Sequence, residues 1–324
     1  MAETENISKM AELLASSIFK ELKWQQEAPL NTNYSCVLTE SHGKKTHPAD
    51  VVYWYKDPYK GSRVYVLTDL KSYARGSITA DTVKSSVTNL ALSVECAKIS
   101  DEWRRRFISG SENTDLAGML FIFNHDKGWD VEFPVFLGKM FDEYPKIPSG
   151  VRLYIFGPQD IWYLNNIISD MKILRGDEEL PQLSDCSFLY PDLSRSKVVQ
   201  DDWGCAATLE CLKAPWQIIK YRLSDGSIHL LIYYRGKGDT VQEFIYLIDK
   251  LVHFQWVAMC ATIRLRAPYA SQNAAATFAL AVKEYADPLA ETTKNSDKLK
   301  KIRLETIQQV IPNFSEIEIG MEAR

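Results

Sequence analysis

One stretch limits the fold more than any other. "DVVYWYK" and "RVYVLTDLK" are rich in β-branched and aromatic residues, and they flank "DPYKGS", a turn segment with Pro and Gly. This pattern predicts an antiparallel β-hairpin. Facing residues in a hairpin lie symmetrically about its turn. With the turn at residues 57–62, Asp50 and Asp69 are expected to face each other with Cβ atoms about 5 Å apart. Lys71 lies two residues past Asp69 and so points to the same side. Three charges are expected to meet at one end of the hairpin.

Two opposed carboxylates repel unless something neutralises them. A divalent cation does so. Mg²⁺ favours one or two carboxylates plus waters and substrate phosphates. Lys71 would place a compact charge near an attacking water or a scissile phosphate. A metal there can activate water, polarise a phosphoryl oxygen and stabilise a leaving oxygen, which is the chemistry of phosphodiester hydrolysis.

The flanking elements agree with such a site. Residues 7–25 space apolar side chains as an amphipathic helix, and a short strand is expected around "YSCVLTE". After the hairpin, residues 79–107 read as one long helix. "LAGMLFIFNHD" and "GVRLYIFG" read as strands, each followed by a helix, "VFLGKMFDEY" and "PQDIWYLNNIISDMKIL". The order α, hairpin, α, β, α, β, α implies an α/β domain with a mixed sheet. Residues 176–204 turn polar and read as a linker or irregular excursion. A smaller α/β unit follows: strands "WQIIKYRL", "IHLLIYYRG" and "TIRLRA", two helices, and a charged tail expected to be helical. The expected domains are therefore residues 1–175 and 205–324. No internal repeat is evident.

"HPAD…TDLK", with Pro48, Asp50, Asp69 and Lys71, resembles the signature of the PD-(D/E)XK nuclease superfamily, although Ala49 separates the proline from the aspartate. The element order over roughly residues 5–170 also resembles that superfamily's restriction-endonuclease-like core. The resemblance implies that Asp50 and Asp69 bind Mg²⁺, or Mn²⁺ in its place, with the Leu70 carbonyl as a further ligand and Lys71 positioning or activating the water. It also implies an acidic residue earlier in the chain, for which Glu21 and Glu40 are candidates and Glu21 is preferred. The implied function is a metal-dependent endodeoxyribonuclease of anti-phage or anti-plasmid defence, working as a homodimer or with a companion defence subunit. Two alternatives stay open: a catalytically silent, DNA-binding or assembly subunit with a nuclease fold, and an RNA-directed, toxin-type nuclease.

Composition narrows the remaining choices. A net charge of −4 excludes a uniformly basic nucleic-acid coat but not a local basic groove. No apolar run approaches the roughly 18 residues of a membrane span, and the first residues do not read as a signal peptide, so a cytoplasmic protein is expected. Six cysteines without a CxxC pair suggest reduced thiols, and Cys186, Cys205 and Cys211 lack a histidine at zinc-site spacing. No phosphate loop, dinucleotide fingerprint or nucleophile elbow is present. Lys44, Lys45, Tyr73 and Arg75 flank the charged site and are candidates for backbone contacts to DNA, against a solvated loop. Arg104–Arg106 suit a helix C-terminus. "FNHD" lacks the other residues of an HNH motif, and His42 and His47 are expected to be solvent-exposed polar residues.

Overall fold

The computed structural model describes residues 2–110, 113–140, 145–189, 204–286 and 294–310. The chain divides into two units between Asn165 and Asn166.

The first unit contains α1 (Ala2–Glu21), β1 (Gln25–Glu27), β2 (Thr32–Ser35), α2 (Thr39–His42), β3 (Thr46–Ala49), β4 (Val51–Lys56) and β5 (Arg63–Tyr73). Then come α3 (Ala80–Ile99), α4 (Asp101–Phe107), β6 (Thr114–Asn124), α5 (Phe133–Met140), β7 (Leu153–Phe156) and α6 (Pro158–Gly176), within which the units part. Its sheet runs β1-β4-β5-β6-β7. β1, β4 and β5 are antiparallel, while β6 and β7 run parallel to β5. β2 and β3 form a separate two-stranded ribbon.

Alternation along the hairpin separates two apolar layers. Val52, Tyr65 and Leu67 join Val83, Val87, Leu90 and Val94 of α3 in one core. Tyr53 and Tyr55 face the other way and pack on Phe19 and Trp24, with ring centroids at 4.8 and 5.0 Å. β6 is buried along nearly its whole length, as suits a central strand covered on both faces. Thr79 opens α3 with a capping box closed by Thr82. The long helix expected over 79–107 is broken at Ser100, which is extended (φ −83°, ψ 114°) and caps α4 by accepting a bond from the Trp103 amide at 3.2 Å.

The second unit contains β8 (Cys186–Leu189), α7 (Leu209–Lys213), β9 (Trp216–Arg222), β10 (Ile228–Tyr234), α8 (Val241–His253), α9 (Trp256–Met259), β11 (Thr262–Ala267), α10 (Ala274–Ala286), α11 (Lys294–Leu299) and β12 (Leu304–Thr306). Two expectations change here. Part of the presumed linker is β8, the edge strand beside β9, while its residues 190–203 lie outside the described residues. The tail is not wholly helical, because Leu304–Thr306 pairs in parallel with β11.

The two sheets share one pattern. In the second, β8, β9 and β10 are antiparallel neighbours, and β11 and β12 continue parallel to β10. Helices lead from β10 to β11 and from β11 to β12, as they lead from β5 to β6 and from β6 to β7. The chain therefore repeats a strand order and direction that its sequence does not reveal.

Helix α3 packs closely over Gly118 in the first sheet. A Cβ at that position would meet Leu153 Cδ2 at 2.5 Å and Val94 Cγ2 at 2.7 Å. Gly118→Val is expected to destabilise the first unit by about 1–3 kcal/mol through overpacking. Urea unfolding checks this; an unchanged midpoint contradicts the close approach.

Candidate active site

The observed register pairs Val51 with Thr68, so the next pair outward is Asp50 and Asp69. The hairpin has no bulge between its turn and this pair. Asp50 sits between β3 and β4, and its Oδ2 accepts a bond from the Leu70 amide at 2.9 Å. That bond ties the Asp50 carboxylate to the neighbouring strand. Asp69 and Lys71 share a face of β5, and Lys71 Nζ lies 2.5 Å from Asp69 Oδ1. Their side chains are 16% and 31% exposed, so solvent reaches the pair from one side.

Charge is poorly tolerated here without a counterion. Burial, opposed by Lys71 and reinforced by Asp50, pushes the Asp69 carboxyl up to about 6 from its usual 3.8. For Lys71, burial works against the ammonium, but Asp69 and then Asp50 outweigh it and raise its pKa. Lys71 is therefore charged at neutral pH. It neutralises one of two carboxylates and leaves the other. The donor set that remains is hard oxygen from the two carboxylates. That set fits a hard divalent cation.

A cleft of about 190 Å³ opens beside Asp50 and Leu70 and is lined from α1 by Lys9, Glu12, Leu13 and Ser16. Glu12 is thus the α1 carboxylate on the cleft wall, and Asn31 Nδ2 donates to its Oε1 at 2.9 Å. Glu21 and Glu40 are not among the residues lining the cleft. Glu21 ends α1, about 13 Å farther along its axis, and Glu40 is exposed on α2. The signal for Glu12 was a second stripe on the helix: residues 9, 12, 13 and 16 share one flank of the apolar face.

The proposed contact residues are distributed unevenly. Lys44 Nζ donates to Asn89 Oδ1 at 2.6 Å, and Lys45 is exposed. The Tyr73 carbonyl accepts from the His125 amide and Asn124 Nδ2 at 3.2 and 3.0 Å. Arg75 is held by Asp130 at 3.1 Å and lies over the Trp129 ring at 5.4 Å. The "FNHD" residues build that same turn: Asn124 Nδ2 donates to Asp126 Oδ1 at 2.7 Å. Arg106 bonds Glu102 and the Asn33 carbonyl. His42 and His47, expected at the surface, are both buried.

Residues 1–160 match the family model described as the GAPS4 protein PD-(D/E)XK nuclease domain. The N-terminal unit belongs to the PD-(D/E)XK nuclease superfamily. Searches of curated proteins and of solved structures returned no match. A nuclease-class domain thus occupies the first unit, with a mixed sheet flanked by helices, and a second α/β unit follows. No helix among the described residues is long and apolar enough to cross a membrane.

The second unit differs at the corresponding place. One step beyond the β9–β10 pair of Trp216 and Tyr234 lie Pro215 and Arg235, with the Arg235 amide bonded to the Pro215 carbonyl at 2.9 Å. A proline and an arginine stand where the first unit has Asp50 and Asp69, so the hairpin end of the second unit carries no opposed acids.

Because its folded-state pKa lies above the ordinary value, Asp69 weakens the metal-free fold as pH rises from about 4 through about 6. Asp50→Asn removes one cause of that shift. It is expected to bring the Asp69 midpoint down from about 6 when followed by carboxyl-carbon NMR. An unmoved midpoint would mean that the two carboxylates do not interact.

Proposed function

We propose that the chain is a metal-dependent endodeoxyribonuclease that hydrolyses DNA phosphodiester bonds. The observation that carries this reading is the pairing of Asp50 with Asp69, with Lys71 on the same face. Asp50, Asp69 and the Leu70 carbonyl would hold Mg²⁺ or Mn²⁺. When bound, such an ion supplies charge to stabilise the phosphoryl and leaving oxygens and lowers the pKa of water. Lys71 keeps its proton at neutral pH through Asp69, so its role is electrostatic: it orients the nucleophilic water and offsets charge on the phosphate. Asp50, fixed by the Leu70 amide, keeps its oxygens directed at the site while substrate is absent. Glu12, which lines the cleft, would serve as the earlier acidic residue in place of Glu21.

Among the described residues one hairpin end carries such an acid pair, so cutting both strands of a duplex in one event would take two chains or a companion subunit. Lys9 is an exposed cation on the cleft wall, and Lys45 is exposed while Lys44 and Tyr73 are partly buried; all four would contact the phosphate backbone. The superfamily resemblance supports a cytoplasmic role in defence against phage or plasmid DNA.

Cleavage of supercoiled and linear DNA in Mg²⁺ or Mn²⁺ tests the reading, with RNA digests in parallel. Lys71→Ala and Asp69→Asn are each expected to lower the rate by about 100-fold or more while the fold persists. Glu12→Gln should slow cleavage more than Glu21→Gln. Full activity in a folded Lys71→Ala protein overturns the assignment. Cleavage confined to RNA replaces the DNA substrate with an RNA one.

A further inference from the structure

A second group of ligating atoms lies apart from the hairpin end, among β2, α2, β3 and α3. Cys36 follows β2, His42 closes α2, His47 lies within β3 and Cys96 lies on α3. All four side chains are buried. Ligand atoms of Cys36, His47 and Cys96 lie within 4.8 Å of one another. His42 Nδ1 is 3.0 Å from His47 Nε2 and 3.4 Å from Cys36 Sγ. His47 Nε2 is 3.1 Å from Cys36 Sγ. Zinc bond lengths of about 2.0–2.3 Å place tetrahedral ligand atoms about 3.3–3.8 Å apart, close to this spacing.

The neighbours of the two imidazoles decide where their protons sit. His42 Nε2 lies 3.0 Å from Glu95 Oε2, an acceptor, so that nitrogen carries the proton. Ser93 Oγ donates to the Asn89 carbonyl at 2.9 Å and lies 3.3 Å from His47 Nδ1, which must then donate to it. A neutral imidazole has one N–H. The lone pairs of His42 Nδ1 and His47 Nε2 therefore face each other across 3.0 Å. The single thiol proton of Cys36 can satisfy one of them and not both. Cys96 Sγ accepts from the Val37 amide at 3.3 Å and donates to the Ser35 carbonyl at 3.9 Å. Cys36, His47 and Cys96 thus gather their ligand atoms in a buried space, and His42 reaches two of them; a bound cation would satisfy the facing lone pairs.

We infer that Cys36, His42, His47 and Cys96 form a structural zinc site, with Glu95 and Ser93 fixing the two imidazoles. Two sulfurs and two imidazole nitrogens are a donor set that favours zinc. Four protein ligands leave no open position, so the ion would hold structure rather than perform chemistry. It would cross-link residues 36–47 to α3. His47 lies three residues before Asp50, so the cross-link fixes the segment that delivers Asp50 to the hairpin end.

Elemental analysis of the gel-filtered full chain is expected to find about one zinc per chain, retained in Asp69→Asn and lost in Cys96→Ser. Because Cys96→Ser can misfold, Glu95→Ala serves as a milder variant, expected to weaken zinc retention about 10- to 100-fold without removing a ligand. Titration of zinc-stripped wild type with Co²⁺ should give thiolate-to-cobalt charge transfer and intense tetrahedral visible bands. A folded wild type that carries only substoichiometric zinc and shows no such bands with Co²⁺ overturns the site. Zinc that departs with Asp69→Asn instead assigns the metal to the hairpin end and overturns it equally.

Discussion

The site depends on the antiparallel register between β4 and β5. Side chains alternate with period two along a strand, so a slip by one residue would send Asp69 and Lys71 to the opposite face. The apolar residues of the hairpin hold the register. Val52, Tyr65 and Leu67 are committed to the α3 core, and Tyr53 and Tyr55 to the aromatic layer under α1. Neither set can exchange faces without exposing large apolar surface. The packing of the hairpin thereby holds two like charges opposite each other, although their repulsion alone would separate them.

That arrangement explains why the residues at the hairpin end behave differently from ordinary surface charges. Burial and Asp50 raise Asp69, and the carboxylate in turn holds the proton on Lys71. The opposed carboxylates are destabilising in isolation, and under the proposed function a cation would complete the site. The second unit repeats the strand order but places Pro215 and Arg235 at the matching positions. The same sheet pattern there stands without the electrostatic demand, so the fold and the chemistry are separable within one chain.

The hairpin end was legible because its evidence is local: two β-rich runs, a turn between them, and symmetry about that turn. The mixed sheet was likewise readable from alternating strands and helices. What depended on distant partners was not. A helical stripe marks the flank of α1 that carries Glu12, but its role there depends on the cleft it shares with Asp50, which lies 38 positions away in the sequence. His42 and His47 sit in a polar stretch that reads as exposed loop, yet Cys36, Ser93, Glu95 and Cys96 enclose them from a strand end and a helix. The break at Ser100 was hidden by helix-compatible residues on both sides. The repeated topology was hidden because strand direction and order can persist while the residues at the hairpin ends diverge.

Anomalous diffraction from crystals soaked in Mn²⁺ tests the central claim most directly. The expected result is a manganese peak at the hairpin end beside the Asp50 and Asp69 carboxylates, lost in Asp50→Asn crystals. An empty hairpin end in wild-type crystals that bind Mn²⁺ elsewhere would contradict it.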